Sequence, residues 1–171
     1  MEKTTTYGVF TGFYFRKILH SIIEIKDLKN SNKTILDFGC GTGELKKLLE
    51  KYSVKVINYD IKKEFTEIND WKKVNFDILI ASQVFYTFTK RELCNLLKSL
   101  KIHNPNLELI VAISNQNIFN KLLAIITFEF DAHKNTRLHK KEEKEMIEKF
   151  ANKISSKNIY GLTEVIHYRL K

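Results

Sequence analysis

The sequence predicts an α/β fold: a three-layer sandwich around a mostly parallel, doubly wound sheet of about six to seven strands, the last strand antiparallel. Three observations predict it. Short runs of unbroken apolar residues alternate with amphipathic segments, and strands of that kind are buried on both faces, as in a parallel sheet. A turn rich in glycine (Gly39, Gly41, Gly43) joins one such run to the next amphipathic segment. Near the C-terminus two strand-like runs stand very close together. They must be antiparallel, because a parallel crossover needs a dozen residues or more.

The elements follow in order. Thr11 to Lys26 reads as an amphipathic helix, with Phe15, Ile18, Leu19, Ile22 and Ile23 at helical spacing. Thr34-Ile-Leu-Asp-Phe is a buried strand ending in the glycines. Glu44 to Lys51 is a helix with Leu45, Leu48 and Leu49 inward. Val54 to Tyr59 is the next strand, closed by Asp60, and Phe76 to Ala81 is another apolar strand. Thr89 and Glu92 form a capping-box pattern that opens a helix to Leu100. Leu107 to Ile113 is a strand, and Ile118 to Phe128 is apolar on most sides, as a well-buried helix would be. A strand is expected around Asn158 to Tyr160. After Gly161, the run Glu164 to Leu170 alternates in the manner of a last, reversed strand.

Composition bounds the function. A chain of 171 residues with 43% hydrophobic and 29% charged residues is one globular domain rather than two. The longest apolar stretch, Leu122 to Phe128, is far short of the ~20 residues a transmembrane helix needs. The N-terminus has no apolar h-region, so a cytoplasmic location is expected. Two cysteines, Cys40 and Cys94, exclude a disulfide framework and a four-thiolate zinc site, and no metal is expected. The net charge of +9 admits an anionic partner. The excess is almost all lysine, however, with arginine only at Arg16, Arg91, Arg137 and Arg169. That pattern fits a solvated surface better than a nucleic-acid groove. Nucleic acid is the less favoured partner, and the sequence leaves homo-oligomerisation open.

The glycine turn carries the chemistry. Its glycines let the backbone turn tightly and approach a ligand. In an open parallel sheet, the first strand–helix turn is where a nucleotide-like ligand lies. A carboxylate at Asp60 can accept both hydroxyls of a ribose. The dinucleotide fingerprint is G-x-G-x-x-G; here the spacing is G-x-G-x-G, flanked by Asp37 and Glu44. Two carboxylates would repel a pyrophosphate and suit a ligand with positive groups. A nicotinamide-dependent oxidoreductase is therefore opposed.

Asp37-Phe-Gly-Cys-Gly-Thr-Gly resembles the first motif of class I S-adenosylmethionine-dependent methyltransferases, of the branch acting on small molecules and lipids. The resemblance spans most of the chain. It implies one S-adenosylmethionine-binding domain over 1–171, with 1–27 as an N-terminal helical lid. It implies that Gly39, Cys40, Gly41 and Gly43 line the methionine end of the cofactor, and that Asp37 orders the loop and its amine contacts. It implies that Asp60 holds the ribose, with Ile61 packed on the adenine. Ser82-Gln83-Val84-Phe85-Tyr86 resembles the segment under the cofactor: Gln83 and Val84 on the cofactor side, Phe85 and Tyr86 toward the acceptor. One departure stands out. The family places a helix and a third strand where this chain has only Ile61 to Asn75. Glu64 to Ile68 is the expected third strand. Asp70 and Trp71 then fall where the family contacts the adenine; the alternative is a helix cap and a surface anchor.

The acceptor is less legible. Methyl transfer needs alignment more than acid–base groups. His133 is the candidate general base, because imidazole titrates near neutrality. Tyr7 and Asp131 are candidate acceptor contacts. The sequence after the fourth strand lacks the Asn/Asp-Pro-Pro-aromatic signature of amino-methylating DNA enzymes. The expected function is methyl transfer to a small-molecule or lipid-like acceptor. The alternative is a cofactor-binding domain without its own catalysis, acting as a partner subunit.

Overall fold

The structure, a computed structural model, describes residues 9–114 and 137–171. Helix α1 (Val9–Ile25) leads into β1 (Ile35–Phe38), α2 (Glu44–Glu50) and β2 (Val56–Tyr59). After a long connection come β3 (Ile78–Ser82), α3 (Lys90–His103) and β4 (Glu108–Ser114). Helix α4 (Lys140–Glu148) precedes the hairpin of β5 (Ala151–Ile159) and β6 (Thr163–Leu170). The expected helix at 118–128 lies outside the described residues, as do Tyr7, Asp131 and His133.

Six strands form one sheet in the order β2-β1-β3-β4-β6-β5. β1 to β4 pair in parallel, and β6 runs antiparallel to both β4 and β5. β1 and β4 are buried along their whole length, the reason their sequences are apolar without alternation. α1 and α2 cover one face, where Ile18, Ile22, Leu45, Leu49, Ile78 and Ile80 pack together. α3 and α4 cover the other, over Leu36, Phe38, Leu79, Leu97, Ile147 and Tyr168. Each fully buried side chain of this size stabilises the fold by about 1.5–3 kcal/mol relative to exposure. Leu48, expected inward, is only partly buried.

The expected capping box is present. The Thr89 hydroxyl accepts from the Glu92 N–H, and the Glu92 carboxylate accepts from the Thr89 N–H. The expected third strand is not. Within Glu64 to Ile68 the Glu67 N–H makes a single strand-like bond to the Asn58 carbonyl at 3.0 Å. The connection between β2 and β3 is too short to hold a helix and a strand. It makes instead a 3₁₀ turn at Trp71–Lys73 that drives Trp71 into the core. None of the described helices is long and apolar enough to cross a membrane.

Candidate functional site

The loop after β1 docks on the end of β2. The N–H groups of Gly39 and Cys40 both donate to the Tyr59 carbonyl, at 2.7 and 3.2 Å. Gly39 has φ +77°, and a Cβ there would lie 2.5 Å from Cγ2 of Val84. Glycine at 39 therefore lets the segment after β3 close against the loop. Gly41 has φ +51° but faces open space, with nothing within 4 Å of a Cβ. Backbone without a covering side chain faces open space there, beside the Asp60 carboxylate.

The carboxylates differ in environment. Asp60 accepts from the Gly41 N–H at 3.0 Å and from the Lys62 N–H at 2.9 Å. Next to it Ile61 is 95% exposed, an uncovered apolar lip. Asp37, in contrast, is buried at the end of β1 and accepts no hydrogen bond from the described residues. Burial first, and the charge of Asp60 second, push its carboxyl up to about 7. An unpaired buried carboxylate is costly, and a bound cation would relieve it. Cys40 is no nucleophile: burial, then Asp37 and Asp60, push its thiol up to about 12.

The segment after β3 supplies the other wall. Gln83 stands at φ +57°, in the left-handed region that a non-glycine residue seldom occupies. Its N–H donates to the Ala112 carbonyl at 3.0 Å, while its side-chain Nε2 is buried without a partner among the described residues. Backbone strain and an orphaned polar group together mark positions held for a ligand. Phe85 turns inward instead, 1% exposed and packed against Phe38 and Phe88. It is core, whereas the sequence reading placed it toward an acceptor. The Tyr86 carbonyl accepts from the N–H groups of Arg137 and Leu138, which fixes the start of α4 against this wall.

The structure thus gathers Asp37, Gly39, Cys40, Gly41, Gly43, Asp60, Ile61, Gln83 and Val84 at the C-terminal ends of β1, β2 and β3. It does not bring Asp70 and Trp71 there. Asp70 caps the 3₁₀ turn through the Lys72 N–H. Trp71 is 7% exposed and packs edge-on to Phe76 and His103, which flank the N-terminal ends of β3 and β4. The cap and anchor roles prevail because the short connection needs a hydrophobic residue to hold it on the sheet.

Residues 10–103 match the methyltransferase domain family. The chain belongs to that family. Its cofactor is S-adenosylmethionine, and the site fits that ligand: an unpaired buried carboxylate for a cation, a strand-end carboxylate for hydroxyls, bare backbone at Gly41. The chain is 30% identical over 116 residues to ribosomal RNA small subunit methyltransferase A of Mesomycoplasma hyopneumoniae (strain 232). That alignment takes in 67% of this chain but 44% of the relative, so the chain spans less than half its length. Among solved structures, the PH0226 protein from Pyrococcus horikoshii OT3 superposes with a TM-score of 0.70 at 16% identity, covering 92% of this chain and 91% of that one. Magnesium protoporphyrin IX methyltransferase from Synechocystis PCC 6803, solved with bound SAH, gives 0.69 at 11% identity over 99% and 90%. The chain also has one candidate site residue that the sequence reading missed. Asn58 of β2 lies beside Asp37 in the sheet register, and its buried Oδ1 has no partner among the described residues. Its signal was its place two residues before Asp60, on the strand that closes the loop.

Proposed function

We propose that this chain transfers a methyl group from S-adenosylmethionine to a small-molecule or lipid-like acceptor. The observation that carries the cofactor half is Asp37, a buried carboxylate with no partner from the protein, beside a second carboxylate and the bare backbone of Gly41. When bound, the cofactor supplies an electrophilic methyl on a sulfonium. The chain's own residues bind and align. Asp37 and the Gly41 backbone meet the amino-acid end, Asp60 meets the ribose, and Ile61 covers the adenine. Val84, locked against Gly39, and the Gln83 amide shape the wall that an acceptor would face, with Tyr86 at its rim. Tyr7, Asp131 and His133 belong to this proposal as acceptor contacts and base. Within 1–27, a lid is confined to the part before Tyr14, because Ile18 and Ile22 are fixed in the core.

The small-molecule reading is supported by the Ser82-Gln83-Val84-Phe85 sequence after β3 and by the named porphyrin methyltransferase of like fold. A second reading, an RNA acceptor, is favoured by the ribosomal RNA methyltransferase relative and by the net charge of +9. A third, a cofactor-binding subunit, predicts binding without turnover. Incubation with methyl-labelled S-adenosylmethionine and, separately, a metabolite panel, a lipid extract and ribosomal RNA tests all three. Label is expected in the metabolite or lipid fraction. Label in RNA alone overturns the acceptor reading, and tight binding with no transfer anywhere supports the subunit.

A further inference from the structure

Asp37 and Asn58 are partners in the parallel register of β1 and β2, so their side chains stand on the same face of the sheet. They are 4% and 9% exposed. The Asn58 Oδ1 is buried without a partner among the described residues, and burial and Asp60, with no hydrogen bond, set the state of the Asp37 carboxyl. Asp60 lies just past the end of β2, two residues after Asn58, with its charge bearing on Asp37. Among the described residues no hydrogen bond reaches the Asp37 carboxyl in this corner of the site.

No cation among the described residues bears on the Asp37 carboxyl. From the loop, the Cys40 thiol points at the carbonyls of Gly41 and Phe65. After β2, Glu67 lies 2.5 Å from the Lys46 ammonium of α2, and Lys47 of the same helix is paired with Glu44. β3 sets Ile80 beside Asp37, and the following Gln83 and Val84 carry no charge. On this face α1 contributes Ile18 and Tyr14, whose hydroxyl is bonded to Thr163.

We infer that Asp37 holds a proton while the site is empty and exchanges it for the cofactor's ammonium on binding, so that binding releases a proton to solvent. The inference rests on the S-adenosylmethionine reading of the site. A protonated carboxyl carries no charge into this buried position and needs no cation beside it. When the ammonium arrives, the carboxylate form becomes the favoured one, because an opposite charge within a few ångström stabilises it. The proton leaves to buffer and no other bond changes. Burial and Asp60 place the carboxyl at about 7, where either state is within reach.

Titration calorimetry of the whole chain with S-adenosylmethionine, in two buffers of different ionisation enthalpy, reads the exchange directly. About half a proton is expected to be released at pH 7.0 and nearly one at pH 6.0, with binding about fivefold tighter at pH 7.0. Binding with no proton released at either pH overturns the exchange and leaves the cofactor reading standing. No binding at all removes the cofactor reading, and melting of Asp37→Asn then decides the empty-site proton. The amide is buried without ionising, so its gain in Tm over wild type is expected to be larger at pH 8 than at pH 4.5. An equal change at both pH values overturns the inference.

Discussion

The Gly41 N–H donates to the Asp60 carboxylate over 3.0 Å, which ties the middle of the glycine turn to the residue that ends β2. The other Asp60 oxygen takes the Lys62 N–H. Asp60 thus shapes the loop before a ligand arrives. Asp60→Ala is expected to weaken S-adenosylmethionine binding by roughly 1.5–3 kcal/mol, the scale of hydrogen bonds to a charged group. Calorimetric titration of the folded variant checks this; an unchanged Kd removes Asp60 from the site.

Gly39 and Gly41 share a left-handed backbone but not a neighbourhood. Alanine at 41 meets only the strain of a positive φ, on the order of 1 kcal/mol. Alanine at 39 meets that strain and Val84 as well, at 2.5 Å. Gly39→Ala is therefore expected to lose clearly more stability than Gly41→Ala in urea unfolding. Equal losses would show that Val84 moves aside freely.

Glu143, on α4, is buried without a partner among the described residues, and burial pushes its carboxyl up to about 8. The folded value lies above the unfolded 4.5. Stability is then fullest below that value and falls as the pH rises toward 8. Glu143→Gln removes the dependence. The variant's stability relative to wild type is expected to grow by on the order of 2–4 kcal/mol between pH 4 and pH 8. A constant difference across that range would mean that Glu143 titrates as an exposed acid.

Glu108 is the opposite case. It opens β4 at the far end of the sheet from the glycine turn, 1% exposed. Burial alone would raise its carboxyl. The ammonium groups of Lys26 and Lys33, at 2.6 and 2.7 Å, and the His167 ring at 2.5 Å outweigh burial and hold it at about 2. Its contribution is present above the unfolded value and is lost as the pH falls toward 2. Glu108→Gln leaves the partly exposed ammonium groups of Lys26 and Lys33 without their counter-charge and is expected to cost about 1–2 kcal/mol. Because the cluster is remote, S-adenosylmethionine affinity should stay within about twofold. A large affinity loss at full folding would link the two ends of the sheet.

The sequence was most legible where one physical constraint acted alone. Unbroken apolar runs gave β1, β3 and β4, and short spacing gave the final hairpin. A side-chain pattern three residues long gave the cap at Thr89. It was less legible where elements compete for too few residues. Glu64 to Ile68 reaches the edge strand β2 through the single Glu67–Asn58 backbone bond, but one bond makes no strand. Trp71 looked available to a ring until its burial against Phe76 and His103 was seen. Phe85 followed the resemblance but not the core, which needed its ring between Phe38 and Phe88. Asn58 and the strain at Gln83 depend on strand register and backbone angle, which no local pattern encodes.

The central claim is that the bare backbone of the glycine turn receives S-adenosylmethionine, and Gly41→Val tests it most directly. Among the described residues nothing lies within 4 Å of a Cβ at 41, and the cost within the fold is the strain of a side chain at φ +51°, so the fold should survive with a moderate loss of Tm. A side chain there occupies the space the cofactor needs. Titration calorimetry with S-adenosylmethionine, run alongside thermal melting, is expected to show binding by the wild type and none by a folded Gly41→Val. Wild-type affinity retained in that variant would contradict the account, because the cofactor would then have to lie somewhere other than against Gly41.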